Sequence, residues 1–220
     1  MMSLVRRGKS ERGTVLLATL MVIALLGTLG AALVLVVSTE SLTGANYQAA
    51  QRCLYAADAG IERAISDLRP LATWSAVPAS ASGSADFNDG VTITRAPDGA
   101  VLDLVQLTAR RQAESDALYP NSPNRPVWRL FAHASLDRMI GGSATALPYV
   151  IVWIGDDVDE VDGDPATDAN DVVMIHAEAF GTRGGRRAVE ATIQREEAMA
   201  AGLPGVMRSD VRLIGWREVR

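Results

Sequence analysis

One cysteine, Cys53, occurs in 220 residues, so no internal disulfide can staple the fold. A packed apolar thiol is the expected role, with pairing to a second chain as the alternative. Histidine is almost as scarce. His133 and His176 with one distant cysteine match no zinc-ligand spacing. Each lies in a stretch that alternates like a strand, so a satisfied or surface imidazole is expected. Neither a G-x-S-x-G elbow nor an H-E-x-x-H helix is present. The GKS at Gly8–Ser10 lacks the earlier glycine of a phosphate loop, because Ser3 stands there. No set of nucleophile, base and orienting group can be assembled at recognisable spacing, which argues against an enzyme. The longest absence is of charge: the 26 residues from Thr14 to Thr39 carry none.

The charges that are present are unevenly placed. Residues 1–13 hold Arg6, Arg7, Lys9 and Arg12 against the single acid Glu11. Lys9 is the only lysine in the chain, and the net charge of -5 is carried by an acidic main body. Nucleic acid needs clustered cations to neutralise its phosphates, so no nucleic-acid partner is expected.

A bilayer is crossed by about 20 apolar residues in a helix, and 26 residues extend roughly 39 Å. The cationic flank precedes the run and Glu40 follows it. The positive-inside rule then keeps the N-terminus in the cytoplasm and sends the remainder across. A secretion signal has a shorter apolar core, about 7–15 residues, and ends in a cleavage region. Here the pattern continues as helix. Leu42, Ala45, Ala49, Cys53, Ala57, Ile61, Ala64, Ile65 and Leu68 fall three and four apart and form one apolar stripe, which Pro70 ends. The spacing predicts one helix over 14–69, on the order of 80 Å long. Its residues 14–39 span a membrane and 40–69 are amphipathic.

Residues 70–220 read as a globular head. Pro70–Gly90 is a loop rich in Ser, Ala, Gly and Pro. Val91–Arg95 and Val101–Thr108 alternate around the turn Pro97–Ala100 and predict a hairpin. Val127–Leu136, Tyr149–Ile154, Val172–Gly181 and Arg186–Glu196 predict further strands, with Tyr149–Ile154 apolar enough to be internal. The tail carrying Arg208, Arg212, Arg217 and Arg220 reads as a last edge strand or as a partner-docking strand. Trp128 and Trp153 are expected in the core. The fold class is α+β, a long N-terminal helix packed over one face of a mostly antiparallel sheet.

Residues 156–171 hold eight acids and no base. Carboxylates alternating around a glycine can wrap Ca²⁺. The EF-hand spacing fails, because Asp162 follows Asp159 by three and position 168 is Asp where a Glu would close the loop. Two readings stand: a solvated hairpin loop without any cofactor, or a non-EF Ca²⁺ site made by Asp157, Asp159, Asp162, Asp164 and Asp168.

The leader RRGKSERG, ending at Gly13 directly before TVLLATLMVIALLG, resembles a prepilin-type signal. With Glu40, Asn46, AADAGIERAISDL and the closing DANDVVMIHAEAFGTRGGRRAVEATIQRE and LIGWREV, the chain is similar to PilX-type minor pilins over residues 8–69 and more loosely over 149–220. The resemblance implies a leader over 1–13 removed by a prepilin peptidase between Gly13 and Thr14. It also implies an inner-membrane helix and a pilin-like periplasmic head, later placed at or near a type IV pilus tip. Other minor pilins, the major pilin and a tip adhesin are the implied partners. Major pilins carry Phe or Met at the first mature position and Glu at the fifth. Thr14 and Ala18 stand there instead. The missing carboxylate excludes an ordinary major subunit and suits one with no neighbour above it. Two other readings remain open: a minor pseudopilin of a type II secretion system, and an uncleaved membrane-anchored periplasmic domain binding Ca²⁺ or another ligand.

Overall fold

Glycine or alanine at Ala49, Ala56, Ala57, Gly60 and Ala64 leaves a shallow strip along one helix, and that strip lets backbone approach sheet. The computed structural model describes residues 12–80, 87–140, 146–199 and 207–219. The helix is α1 (Arg12–Leu68). The chain divides into two units after Ala45. In the first unit the described residues are helical throughout, and every side chain from 13 to 44 is exposed. Most of the leader expected over 1–13 lies outside the described residues.

The second unit begins at Asn46. After α1 come a short helix α2 (Val77–Ser80), strands β1 (Ile93–Arg95) and β2 (Val101–Asp103), helix α3 (Leu104–Leu118) and β3 (Arg129–Ser135). A short helix α4 (Leu136–Ile140) follows, then β4 (Tyr149–Asp156), β5 (Val172–Phe180), β6 (Arg186–Met199) and β7 (Met207–Val219). Strands β3-β4-β5-β6-β7 lie side by side in that order, all antiparallel. This is the expected α+β layout, with β4 internal and the tail as the edge strand β7.

The sheet is covered on both faces, where one was expected. Val150, Val152 and Ile154 of β4 join the α1 stripe, Trp74 and Phe87 in one core. Tyr149, Ile151 and Trp153 join Leu102, Leu104, Trp128 and Met174 in a second core, with Leu107 of α3 packed against it. Burial on two faces is why Tyr149–Ile154 reads as an unbroken apolar run. The α1 stripe engages only from Ala49 onward, since Leu42 is exposed.

The predicted hairpin forms, with Ile93 opposite Asp103 and Arg95 opposite Val101. Gly99 adopts φ +91° in its turn, a conformation that favours glycine. The strand expected over Val101–Thr108 stops at Asp103, however. That carboxylate accepts hydrogen bonds from Val105 N–H (3.0 Å) and Gln106 N–H (3.1 Å) and caps α3. Leu104, Arg111 and Ser115 are the side chains α3 buries.

Candidate functional site

The described residues of the first unit offer one chemistry, an apolar cylinder. The run from Thr14 to Thr39 is long and apolar enough to cross a membrane, and every residue in it is exposed. Its hydroxyls need not remain unpaired in an apolar medium. Thr28 Oγ1 donates to Leu25 O (2.8 Å) and Thr39 Oγ1 to Leu35 O (2.9 Å), and Thr19 turns back in the same way. Gly13 and Thr14, the expected processing pair, are exposed in the first turn of α1.

In the head, the acidic loop folds into itself. Asp159, Asp162 and Asp164 are exposed. Asp162 Oδ1 accepts from Asp164 N–H (3.0 Å), and Asp164 Oδ1 from Ala166 N–H (3.2 Å), so these two brace their own turns. Asp157 is buried and spent on Asp159 N–H (3.0 Å) and Asn170 Nδ2 (2.9 Å). The acids that converge are Asp156, Glu160 and Asp168, each placing one oxygen within 4.8 Å of the others. Of the five residues expected from sequence, only Asp168 belongs to this group. Asp156 and Glu160 were missed, although Asp156 ends a strand buried on both faces and so had reason to be buried itself.

Asp168 N–H donates to Ser75 O (3.1 Å), which ties the loop to the chain leaving α1. Asn124 enters from the segment after α3, its Nδ2 donating to Asp156 Oδ2 (2.7 Å) and Asp157 O (2.9 Å). Burial pushes the Asp156 carboxyl up to about 7, although the Asn124 hydrogen bond works against it. Burial likewise raises Asp168 to about 6 and raises Glu160.

A second polar cluster occupies the α3 face. Glu190 on β6 meets Arg217 of β7 (Nε 2.9 Å) and Arg111 of α3 (Nη2 3.5 Å), and Arg217 Nη2 also donates to Tyr119 Oη (2.9 Å). Burial alone would raise Glu190. The nearby His176 imidazole, Arg217 and Arg111 together hold it below the ordinary carboxylate value. Beside it, Arg110 (3.2 Å) and Arg186 both pair with the buried Glu178. These ion pairs fasten α3 to the sheet and β7 to β6. Sequence reading missed them because α3 buries Arg111 and Ser115 beside its leucines.

His176 is packed between Trp128 and Trp153, ring centroids 5.8 and 5.7 Å away. His133 Nδ1 lies 2.9 Å from Asp89 Oδ1 and 3.1 Å from Tyr149 Oη. Cys53 is fully buried, with Sγ donating to Gly185 O (3.3 Å). Its position favours the packed thiol over pairing with a second chain. Trp216 is half exposed and its Nε1 donates to Asp58 Oδ1 (3.0 Å). Compared with known proteins, the chain matches no family model, no curated protein and no solved structure.

Proposed function

We propose that this chain is a minor pilin of the PilX type, a structural subunit at or near the tip of a type IV pilus that helps start its assembly. The observation that carries the reading is the form of α1. An uncharged, exposed run follows Gly13 directly, and the same helix later presents a small-residue stripe to an antiparallel sheet. An apolar run of this length suits two successive environments, first lipid and then neighbouring helices. In this reading residues 1–13 are cytoplasmic and are removed by a prepilin peptidase, and the head is periplasmic. The helix holds other minor pilins and the major pilin by lateral packing in the inner membrane. The head, with its long edge strand β7, sets the order of partners, a tip adhesin among them. The chain carries no catalysis of its own.

Intact mass of the protein from its native membrane tests the reading. A first residue of Thr14, reverting to the unprocessed start when the prepilin peptidase is deleted, is the expected result. A start at Met1 or Met2 in cells with active peptidase refutes it and leaves an anchored periplasmic domain. Where Thr14 is found, loss of pili on deletion of the gene supports the pilus. Loss of protein secretion with pili intact assigns the chain to a type II secretion system.

A further inference from the structure

We propose that Asp156, Glu160 and Asp168 form a Ca²⁺ site inside the head, distinct from the alternating exposed carboxylates of the same loop. Their convergence alone would not suffice, since acidic groups gather on many surfaces without a ligand. This group is interior: Asp156 is 0% exposed, Glu160 7% and Asp168 3%. Among the described residues no Arg or Lys forms an ion pair with any of the three, so their charge has no protein counter-ion there.

The hydrogen-bond accounting points to a ligand. Glu160 Oε1 accepts from Ala169 N–H (3.0 Å). Asp168 Oδ1 accepts from Asn170 N–H (3.2 Å) and Val172 N–H (3.1 Å). Asp156 uses Oδ1 for Asp157 N–H (3.0 Å) and Oδ2 for Asn124. The oxygens left over, Glu160 Oε2 and Asp168 Oδ2, are buried and receive no N–H from the described residues. So is Oδ1 of Asn124, a fully buried side chain already anchored to Asp156. A buried acceptor left unsatisfied is destabilising, and a cluster of them around three carboxylates is what a bound cation relieves.

The donor set selects the ion. All candidate ligands are oxygen, with no imidazole or thiolate among them, which favours a hard cation over zinc or copper. Mg²⁺ usually keeps several waters and takes one or two carboxylates, whereas Ca²⁺ accepts 6–8 oxygens in flexible geometry, including backbone carbonyls of a loop. A buried triad on an irregular loop fits the second description. The ion would join the end of β4 to the start of β5 and, through Asp168 and Ser75, to the chain leaving α1.

The test uses the full chain in detergent, stripped with EDTA, with CaCl₂ as the added probe and unfolding followed by Trp fluorescence. Ca²⁺ at a hundredfold excess over its Kd is expected to raise Tm by roughly 5–10 °C. Glu160→Gln and Asp168→Asn should each abolish the rise, while Asp162→Asn keeps it. Because these substitutions are close to isosteric and remove repulsion, both variants should be at least as stable as wild type in EDTA. If either fails to fold, equilibrium dialysis of the wild type with radioactive Ca²⁺ decides, with one ion per chain expected. No Tm rise, no bound ion, or a rise that survives Glu160→Gln overturns the site, leaving a shared proton as the relief. Loss of the rise in Asp162→Asn moves the ion to the exposed loop, and an equal response to MgCl₂ overturns the choice of Ca²⁺.

Discussion

Gly60 gives the sharpest quantitative test of how α1 meets the sheet. A Cβ at this position would lie 2.8 Å from Val150 Cγ1, 3.2 Å from Val152 Cγ2 and 3.5 Å from Ala177 Cβ. Both valines are fully buried, and β-branching leaves them little rotamer freedom with which to retreat. Overpacking of this kind costs about 1–3 kcal/mol. Alanine returns about 1 kcal/mol of that through its better helix propensity. Gly60→Ala should therefore be destabilising by up to about 2 kcal/mol, a Tm decrease of up to about 8 °C for a chain of this size. Trp74, Trp128 and Trp153 are buried in the head, so Trp fluorescence of the full chain in detergent reports on its unfolding. The mechanism is isolated by adding Val150→Ala, which removes the nearest clashing methyl. The double variant should lose less than the two single variants together, by roughly 1–3 kcal/mol. A rise in Tm for Gly60→Ala, or additivity to within about 0.5 kcal/mol, would refute the close approach.

Other expectations follow from single groups. His176 and His133 are both held below the ordinary histidine pKa by burial, so the unfolded chain binds protons that the folded chain does not. The histidine contribution to stability should be full above pH 6.5 and fall on acidification, by up to about 1.4 kcal/mol per pH unit for His176, which faces Arg111 and Glu114 from α3 and Glu190 from β6, while the raised carboxyls of Asp156 and Asp168 act in the opposite direction. His176→Gln should flatten the slope of denaturation midpoint against pH. Burial raises the Cys53 thiol to about 11, so it should react with iodoacetamide only after denaturation, and the native chain should run as a monomer on non-reducing gels. Asp103→Ala removes the α3 cap and should cost about 1 kcal/mol in urea titration, with Asp103→Asn recovering most of it.

Most of the architecture was legible because its signals are local. The three- and four-residue spacing before Pro70 marks α1 to within a residue of its observed end at Leu68. The apolar run of β4 and the alternation of β5 and β6 mark the sheet. The start of α3 was hidden by a local conflict, while its later part, RRQAESDAL, reads as helix or loop. VLDLVQLT alternates as a strand should, and only the capping role of Asp103 and the burial of Leu104, Arg111 and Ser115 resolve it as helix. A helix that buries an arginine offers no apolar period to find. The acidic triad was illegible for a related reason. In a stretch where every second residue is an acid, composition cannot say which carboxylates turn inward, and the answer depends on Ser75 and Asn124, 32 or more positions away in the chain.

The order of strands in the sheet has a consequence for how the head is made. After β3, each strand of the sheet pairs with its immediate predecessor, so no strand has to insert between two others. A chain that emerges N-terminus first can add one hairpin at a time, and short-range pairing of this kind lowers the entropy of closing each contact. The α1 stripe is the exception. It is made first, yet the first strand that covers Ala49 to Leu68 starts only at Arg129, 61 residues after the helix ends. Throughout synthesis, the longest-lived exposed apolar surface of the head is therefore its own helix.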